Sequence, residues 1–196
     1  VAVAGSAAFP PFLSPLRLRF GEEEWEPSSG EELHRPPVTT DVHLTDGGCY
    51  DNLSLETVWK RYRTILVSDA CGRVGDAPRP RTDWIGHFIR AAELVNAQIS
   101  MLRKRQLIGS FAAGARKGTY WGIGSHIADY HLTDAMECPP ERTFELETVP
   151  TRLSALPDAL QERLINWGYA ICDAAVRRWM LPDLPRPVRF PYSRGV

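Results

Sequence analysis

His43-Leu44-Thr45-Asp46-Gly47-Gly48-Cys49-Tyr50-Asp51-Asn52-Leu53-Ser54-Leu55-Glu56 is the stretch on which the fold of this chain turns. A short apolar run, Val42 to Leu44, delivers the Asp46 carboxylate into two glycines. Asp51, Asn52 and Ser54 then offer N-cap oxygens for a short helix through Val58 and Trp59. An aspartate at the C-terminal end of a strand, followed by residues that tolerate positive φ and close backbone approach, lies at the rim where α/β sheets keep their chemistry. Taken alone, Asp-Gly reads more readily as a favoured turn.

The flanking sequence supplies the elements such a rim needs. On the N-terminal side, VAVAGSAAFPPFLSP (residues 1–15) reads as a small-residue helix end or strand with a turn at Pro10-Pro11. Leu16 to Phe20 follows as a strand whose alternation puts Arg17 and Arg19 on one face. Residues 21–40 carry six glutamates, three prolines and Ser28-Ser29-Gly30, the composition of a surface loop. On the C-terminal side, Thr64 to Ser68 is a nearly uninterrupted β-branched and apolar run, expected to be a strand covered on both faces and ending at a second acid, Asp69.

Ile85, Phe88, Ile89, Ala92, Val95, Ile99 and Leu102 recur at helical spacing and predict an amphipathic helix over 83–105. Residues 119–130 read as one or two strands broken by glycines. From Pro157 to about Met180 a second long helix places Leu160, Leu164, Trp167, Ile171 and Ala175 on one face, with Pro157 suited to its first turn. The proline-rich tail is expected to lie extended over the surface. Strands alternating with helices predict an α/β fold.

Composition narrows the function classes. The 23 Lys and Arg against 24 Asp and Glu give a net charge of -1, with no basic excess to favour nucleic acid. Arg103-Lys104-Arg105 reads as the solvated end of a helix. Cys49, Cys71, Cys138 and Cys172 show neither a CxxC pair nor zinc-ligand spacing, so they are expected as small buried hydrophobes in a reducing compartment. No apolar run approaches the ~20 residues of a membrane span, and no charged signal-peptide region opens the chain. The cytoplasm or the periphery of a membrane is the expected location. The chain begins at Val1 inside an apolar run, which predicts the C-terminal portion of a larger folded unit.

Together these stretches resemble the patatin-like phospholipases. Their second motif, DG[GA], follows a strand and leads into a Tyr-Asp-Asn-Leu-type helix start, as in Asp46-Gly47-Gly48 and Tyr50 to Leu53. Residues 1–15 are similar to the small-Ser-x-Ala-x-Pro segment ahead of that motif. TILVSDAC (64–71) looks like the strand and acidic turn after it, and PTRLSALP (150–157) and NWGYA (166–170) look like the C-terminal part of a bacterial group. The resemblance implies the C-terminal part of a three-layer α/β/α fold with a mixed, mainly parallel sheet. Residues 1–71 would belong to the catalytic domain and 72–196 to a helical and strand extension packed on it.

The resemblance also implies a serine hydrolase with a Ser-Asp dyad acting on lipid or acyl-ester substrates, without metal or organic cofactor. Peripheral contact with a membrane is left open. Asp46 matches the dyad aspartate, Gly47 and Gly48 let its carboxylate approach, and Asp51 and Asn52 steady the loop that holds it. An aspartate is a weak base for a serine hydroxyl, so such a dyad depends on a short hydrogen bond, partial desolvation and a strong oxyanion hole.

The sequence departs from the pattern at the nucleophile. No GxSxG occurs, since Gly5-Ser6 and Gly124-Ser125 place glycine directly before serine. Ser6 is expected to be a packed small residue, and the serine and oxyanion loop are expected in a missing N-terminal half. A non-catalytic binding or scaffold module that uses the DGG turn structurally is the alternative.

Other candidates are weaker. Asp41, Asp46 and Asp51 recur every five residues, the wrong spacing for a calcium loop. His43, His126 and His131 read as core or surface histidines, and Trp59, Trp84, Trp121, Trp167 and Trp179 as core. Phe9 to Leu16 fits core packing, an acyl groove or a lipid-facing surface.

Overall fold

The computed structural model describes residues 1–26, 33–72, 74–150 and 154–196. Ser28-Ser29-Gly30 and residues 151–153 of the PTRLSALP stretch lie outside them. The chain divides into two compact units, Val1–Glu56 and Thr57–Val196. The division falls ahead of residue 71 because the strand Thr64–Asp69 makes its ladder with residues of the second unit.

In the first unit, helix α1 (Ala2–Ser6) is followed by β1 (Leu16–Arg19), a 3-10 turn at Glu22–Glu24, β2 (Asp41–Leu44) and the single-turn helix α2 (Gly48–Asp51). β1 and β2 pair antiparallel, Leu16 opposite Leu44 and Arg19 opposite Asp41. Alternation leaves Arg17 and Arg19 on the exposed face. There the Arg17 guanidinium grips Asp41 through two 2.6 Å hydrogen bonds, which hold the Asp41 carboxyl below its usual range. Both groups are wet, so the pair fixes the ladder's geometry more than its stability. Phe9, Phe12 and Leu13 are exposed, so the apolar loop between α1 and β1 is a surface feature and not core.

The short helix α3 (Leu55–Trp59) holds the division between the units, and the second unit then carries β3 (Thr64–Asp69), α4 (Trp84–Ala112), β4 (Lys117–Gly122), a 3-10 turn at Ile127–Tyr130, α5 (Pro140–Glu147) and α6 (Asp158–Trp179). β3 and β4 pair parallel, Thr64 opposite Lys117 and Asp69 opposite Gly122. The 3-10 turn takes the place of the second strand expected before Tyr130. The described strands therefore form one antiparallel and one parallel pair. At Gly118 the approach of the ladder excludes any side chain, because φ is +141° and a Cβ would lie 1.8 Å from the Ile65 carbonyl oxygen.

β3 alternates strictly between exposed and buried residues, so it is covered on one face and not two. The core lies on α6, where Trp167, Ala170, Ile171, Ala174 and Ala175 pack with Tyr130, Met136, Cys138 and Leu146, and Leu160 and Leu164 flank them. Burying such a continuous stripe contributes a large apolar term to the unit. Pro157 stands at the N-cap of α6 and not inside its first turn. Buried Arg177, on the same helix, is neutralised by Asp173 and Asp134 at 2.9 and 2.8 Å. The tail is anchored and not merely laid on the surface. The fully buried Asn166 amide donates to the Tyr192 and Gly195 carbonyls and accepts from the Tyr192 N–H, and Val196 is buried.

α4 forms where the periodicity places it and runs seven residues beyond Arg105. Its N-cap is Asp83, whose carboxylate accepts from the Gly86 N–H at 2.8 Å. Asp83→Ala should lower the melting temperature in proportion to about 1 kcal/mol, while Asp83→Ser, which keeps a capping oxygen, should recover most of the loss. The helix's apolar stripe stays exposed at Ile85, Phe88, Val95 and Leu102, and Leu107 is its one buried residue. Trp84 and Trp179, expected in the core, are also exposed, whereas Trp167 is 2 % exposed. Cys138 alone of the four free thiols is buried, and Cys71 is exposed.

Candidate functional site

Asp46 lies two residues after β2 and two before α2, whose N-cap is Gly47. Its own N–H donates to the Ala8 carbonyl at 2.9 Å, and its carbonyl accepts from the Cys49 N–H at 3.1 Å. The Thr45 hydroxyl donates to the same Ala8 carbonyl and accepts from the Ser14 hydroxyl at 2.9 Å. Ala8 is buried, and a Cβ on Gly5 would touch the Leu44 side chain at 3.4 Å. The two stretches with the strongest motif likeness, residues 1–15 and 43–56, are therefore physically joined at Asp46. Ser6 is exposed on α1, not packed.

The half-buried Asp46 carboxylate has unequal oxygens. Oδ1 accepts from the Gly48 N–H at 2.7 Å, an Asx turn. Oδ2 has no hydrogen-bond partner among the described residues. One oxygen is thus held by the backbone and the other is left to a donor.

The two glycines differ. A Cβ at Gly48 would sit 3.0 Å from Asp46 Oδ1 and 2.8 Å from Asn52 Oδ1, so the carboxylate does use the space that glycine leaves. Gly47, in contrast, has φ -60° and ψ -23°, an ordinary helical conformation, and no atom lies within 4 Å of a Cβ placed on it. Neither glycine adopts a positive φ. Folding alone does not require glycine at position 47. Gly47→Ala should raise stability by about 0.4–1 kcal/mol through the unfolded chain's entropy, read as a higher denaturant midpoint. If activity falls while stability rises, the glycine serves the approach of a substrate.

Asp51 is the second carboxylate of the loop, and it is buried. Its Oδ2 accepts from the Glu56 N–H at 2.6 Å, closing the first turn of α3, while Oδ1 is buried without a partner. Asn52 lies on the surface beside Gly48. The Asp51 carboxylate thus ties the loop to the start of α3. Asp41 is engaged by Arg17, and His43, His126 and His131 are exposed. No cluster of three or more His, Cys, Asp or Glu side chains is placed to hold a metal among the described residues.

The second unit holds a polar cluster that sequence reasoning divided between a strand-end acid and a solvated helix end. Asp69 is 4 % exposed at the C-terminal end of β3. Its carboxylate takes the Lys104 ammonium at 2.5 Å, the Tyr120 hydroxyl at 2.7 Å and the Cys71 N–H at 2.9 Å. Burial pushes the Asp69 carboxyl up, but these three donors outweigh it and hold it below the usual range. Burial pushes Lys104 down, and Asp69 more than restores it. Burial, with Asp69 beside it, pushes the Tyr120 phenol up to about 12. Lys104 is only partly solvated because α4 continues past it, and Lys104 and Leu107 lie on the helix face that meets the sheet. Every oxygen of Asp69 is satisfied, the signature of a structural anchor.

No protein family, curated protein or solved structure matches the chain. No helix among the described residues is long and apolar enough to cross a membrane.

Proposed function

We propose that this chain is the aspartate-bearing part of a patatin-like serine hydrolase. Asp46 is the base of a Ser-Asp dyad, and the nucleophilic serine and oxyanion loop come from a part of the protein outside these 196 residues. The complete domain is then a three-layer α/β/α sandwich. The observation that carries this reading is the asymmetric Asp46 carboxylate: Oδ1 is fixed by the Gly48 N–H and Oδ2 has no protein partner among the described residues.

In this reading the serine Oγ attacks the ester carbonyl carbon as its proton passes to Asp46 Oδ2. The proton leaves with the alcohol, and water hydrolyses the acyl-serine by the same route. The substrate is a lipid or simple acyl ester. Exposed Phe9, Phe12 and Leu13, on the segment bonded to Asp46, offer an apolar surface for an acyl chain or a lipid interface.

One observation favours a second reading, a non-catalytic module of the same architecture. The Asp46 to Gly48 hydrogen bond is also what a purely structural Asx turn makes. Hydrolysis of a p-nitrophenyl ester separates the two. The isolated chain should be inactive under the first reading, the protein that joins it to a GxSxG segment should be active, and Asp46→Asn should silence the latter. Activity that survives the substitution overturns the dyad.

A further inference from the structure

Along α4, Trp84, Phe88, Ala91, Val95, Gln98 and Leu102 follow one another at alternating steps of four and three residues, and Arg105 and Gly109 continue the series. All eight are exposed. A repeat of about 3.5 residues keeps one line of side chains turned toward a single neighbouring helix, the pattern of a two-helix seam. The opposite side of α4 is already occupied, by buried Leu107 and by Lys104, whose ammonium holds Asp69. The flanking positions Ile85, Leu94, Met101 and Ile108 are apolar and exposed.

The seam's own residues select the partner. Gly109 stands inside α4, where glycine is destabilising relative to alanine. Among the described residues, no atom lies within 4 Å of a Cβ placed on it. Its own fold makes no use of that space, but a second copy of α4 would. With the two helices antiparallel and Val95 opposite the partner's Gln98, Trp84 falls opposite the partner's Gly109 and Leu102 opposite the partner's Ala91. Each of these layers sets a large side chain over a small one. Phe88 then meets the partner's Arg105, whose guanidinium otherwise donates to the Met101 carbonyl of its own helix at 3.4 Å and would stack on the ring. A parallel pair would instead set Trp84 on Trp84 and Arg105 on Arg105, bulk against bulk and like charge against like.

We propose that α4 pairs antiparallel with α4 of a second copy of this chain through this seam. Trp84 and Phe88, 80 % and 70 % exposed, together offer roughly 300 Å² of aromatic surface. With Val95, Leu102 and the flanking apolar residues, the face reaches the ~800 Å² per partner of a stable interface. The pairing assigns no role to Asp46 and stands whether or not the dyad does.

The test is sedimentation velocity of the chain across a micromolar concentration series, where a monomer–dimer equilibrium is expected. Gly109→Leu fills open space on a helix and leaves the monomer folded, but it takes the seat of the partner's Trp84. It should raise the dissociation constant by at least about tenfold with the circular dichroism of the parent. Val95→Glu, which puts a charge into the seam, should do the same. Orientation is read by an exchange of sizes. Gly109→Trp alone should dissociate the pair, and Trp84→Ala combined with Gly109→Trp should restore it, because every large residue again faces a small one. In a parallel pair the two changes fall in different layers and give no rescue. A chain that stays monomeric through the micromolar range, leaving the seam to another protein, overturns the proposal. So does a dimer indifferent to Gly109→Leu and Val95→Glu, or the absence of rescue.

Discussion

Asp46→Asn, made in the protein that also carries the serine, is expected to lower kcat by roughly 10²–10⁴-fold, the usual worth of a positioned general base. The substitution is close to isosteric. The asparagine carbonyl can still accept from the Gly48 N–H that now holds Oδ1 at 2.7 Å, so the turn and the start of α2 survive. The position of Oδ2 is instead taken by an amide that cannot accept a proton. Base catalysis acts in the transition state, so KM should change little and the loss should fall on kcat. Kinetics of p-nitrophenyl ester hydrolysis, with the melting temperature measured alongside, check both points. A variant that melts like the parent and keeps activity within a few-fold removes Asp46 from the dyad. Asp46→Ala is the poorer experiment, because it deletes the Asx turn together with the base.

Much of the local structure was legible in the residues because it obeys local rules. The helical spacing of Leu160 to Ala175 and of Ile85 to Leu102, and the alternation of Leu16 to Arg19, each returned the expected element. What periodicity cannot report is what comes to cover the face it marks. The stripe of α4 and that of α6 look alike in sequence, yet one stays exposed and the other is the core. β3 reads as a strand with two apolar faces and has only one covered, its residues alternating between exposed and buried.

The polar anchors escaped for a related reason, since their partners are remote in sequence. Tyr120 lies 51 residues from Asp69, and Asn166 is 26 and 29 residues from the tail groups it binds. At the candidate site the motif located Asp46, Gly48 and Asp51. It did not distinguish Gly48, which leaves room for a carboxylate oxygen, from Gly47, whose surroundings are open. That distinction depends on backbone angles and neighbours that the letters DGG do not carry.

Asp69→Asn is expected to cost the second unit about 3 kcal/mol, at the lower end for breaking a buried ion pair by removing one partner. Lys104, with a side chain 34 % exposed, can recover part of its hydration, whereas the Asp69 side chain it leaves is 2 % exposed. For a unit of this size the loss corresponds to a fall of roughly 6–12 °C in the melting temperature. If the ion pair is the cause, Asp69→Asn combined with Lys104→Met should cost less than the sum of the single changes, because no buried charge is then left alone. Additive losses would assign Asp69 to its bonds with Tyr120 and Cys71 instead.

The pH dependence makes an independent test. The Asp69 carboxyl is depressed in the fold, so its contribution is present above the unfolded aspartate range and is lost as pH falls through the lower, folded value. Lys104 is raised and Tyr120 is raised to about 12, so their contributions are full below their unfolded values, near 10, and are lost as pH climbs through the folded ones. Stability should therefore hold a plateau from mildly acid pH to about 10 and fall on both sides. Asp69→Asn should flatten the acid limb and, by removing the charge that raises Lys104, weaken the Lys104 share of the alkaline limb while burial keeps the Tyr120 share. Denaturant titrations across that range read both limbs, and parallel profiles for parent and variant would exclude the cluster as the source of the pH dependence.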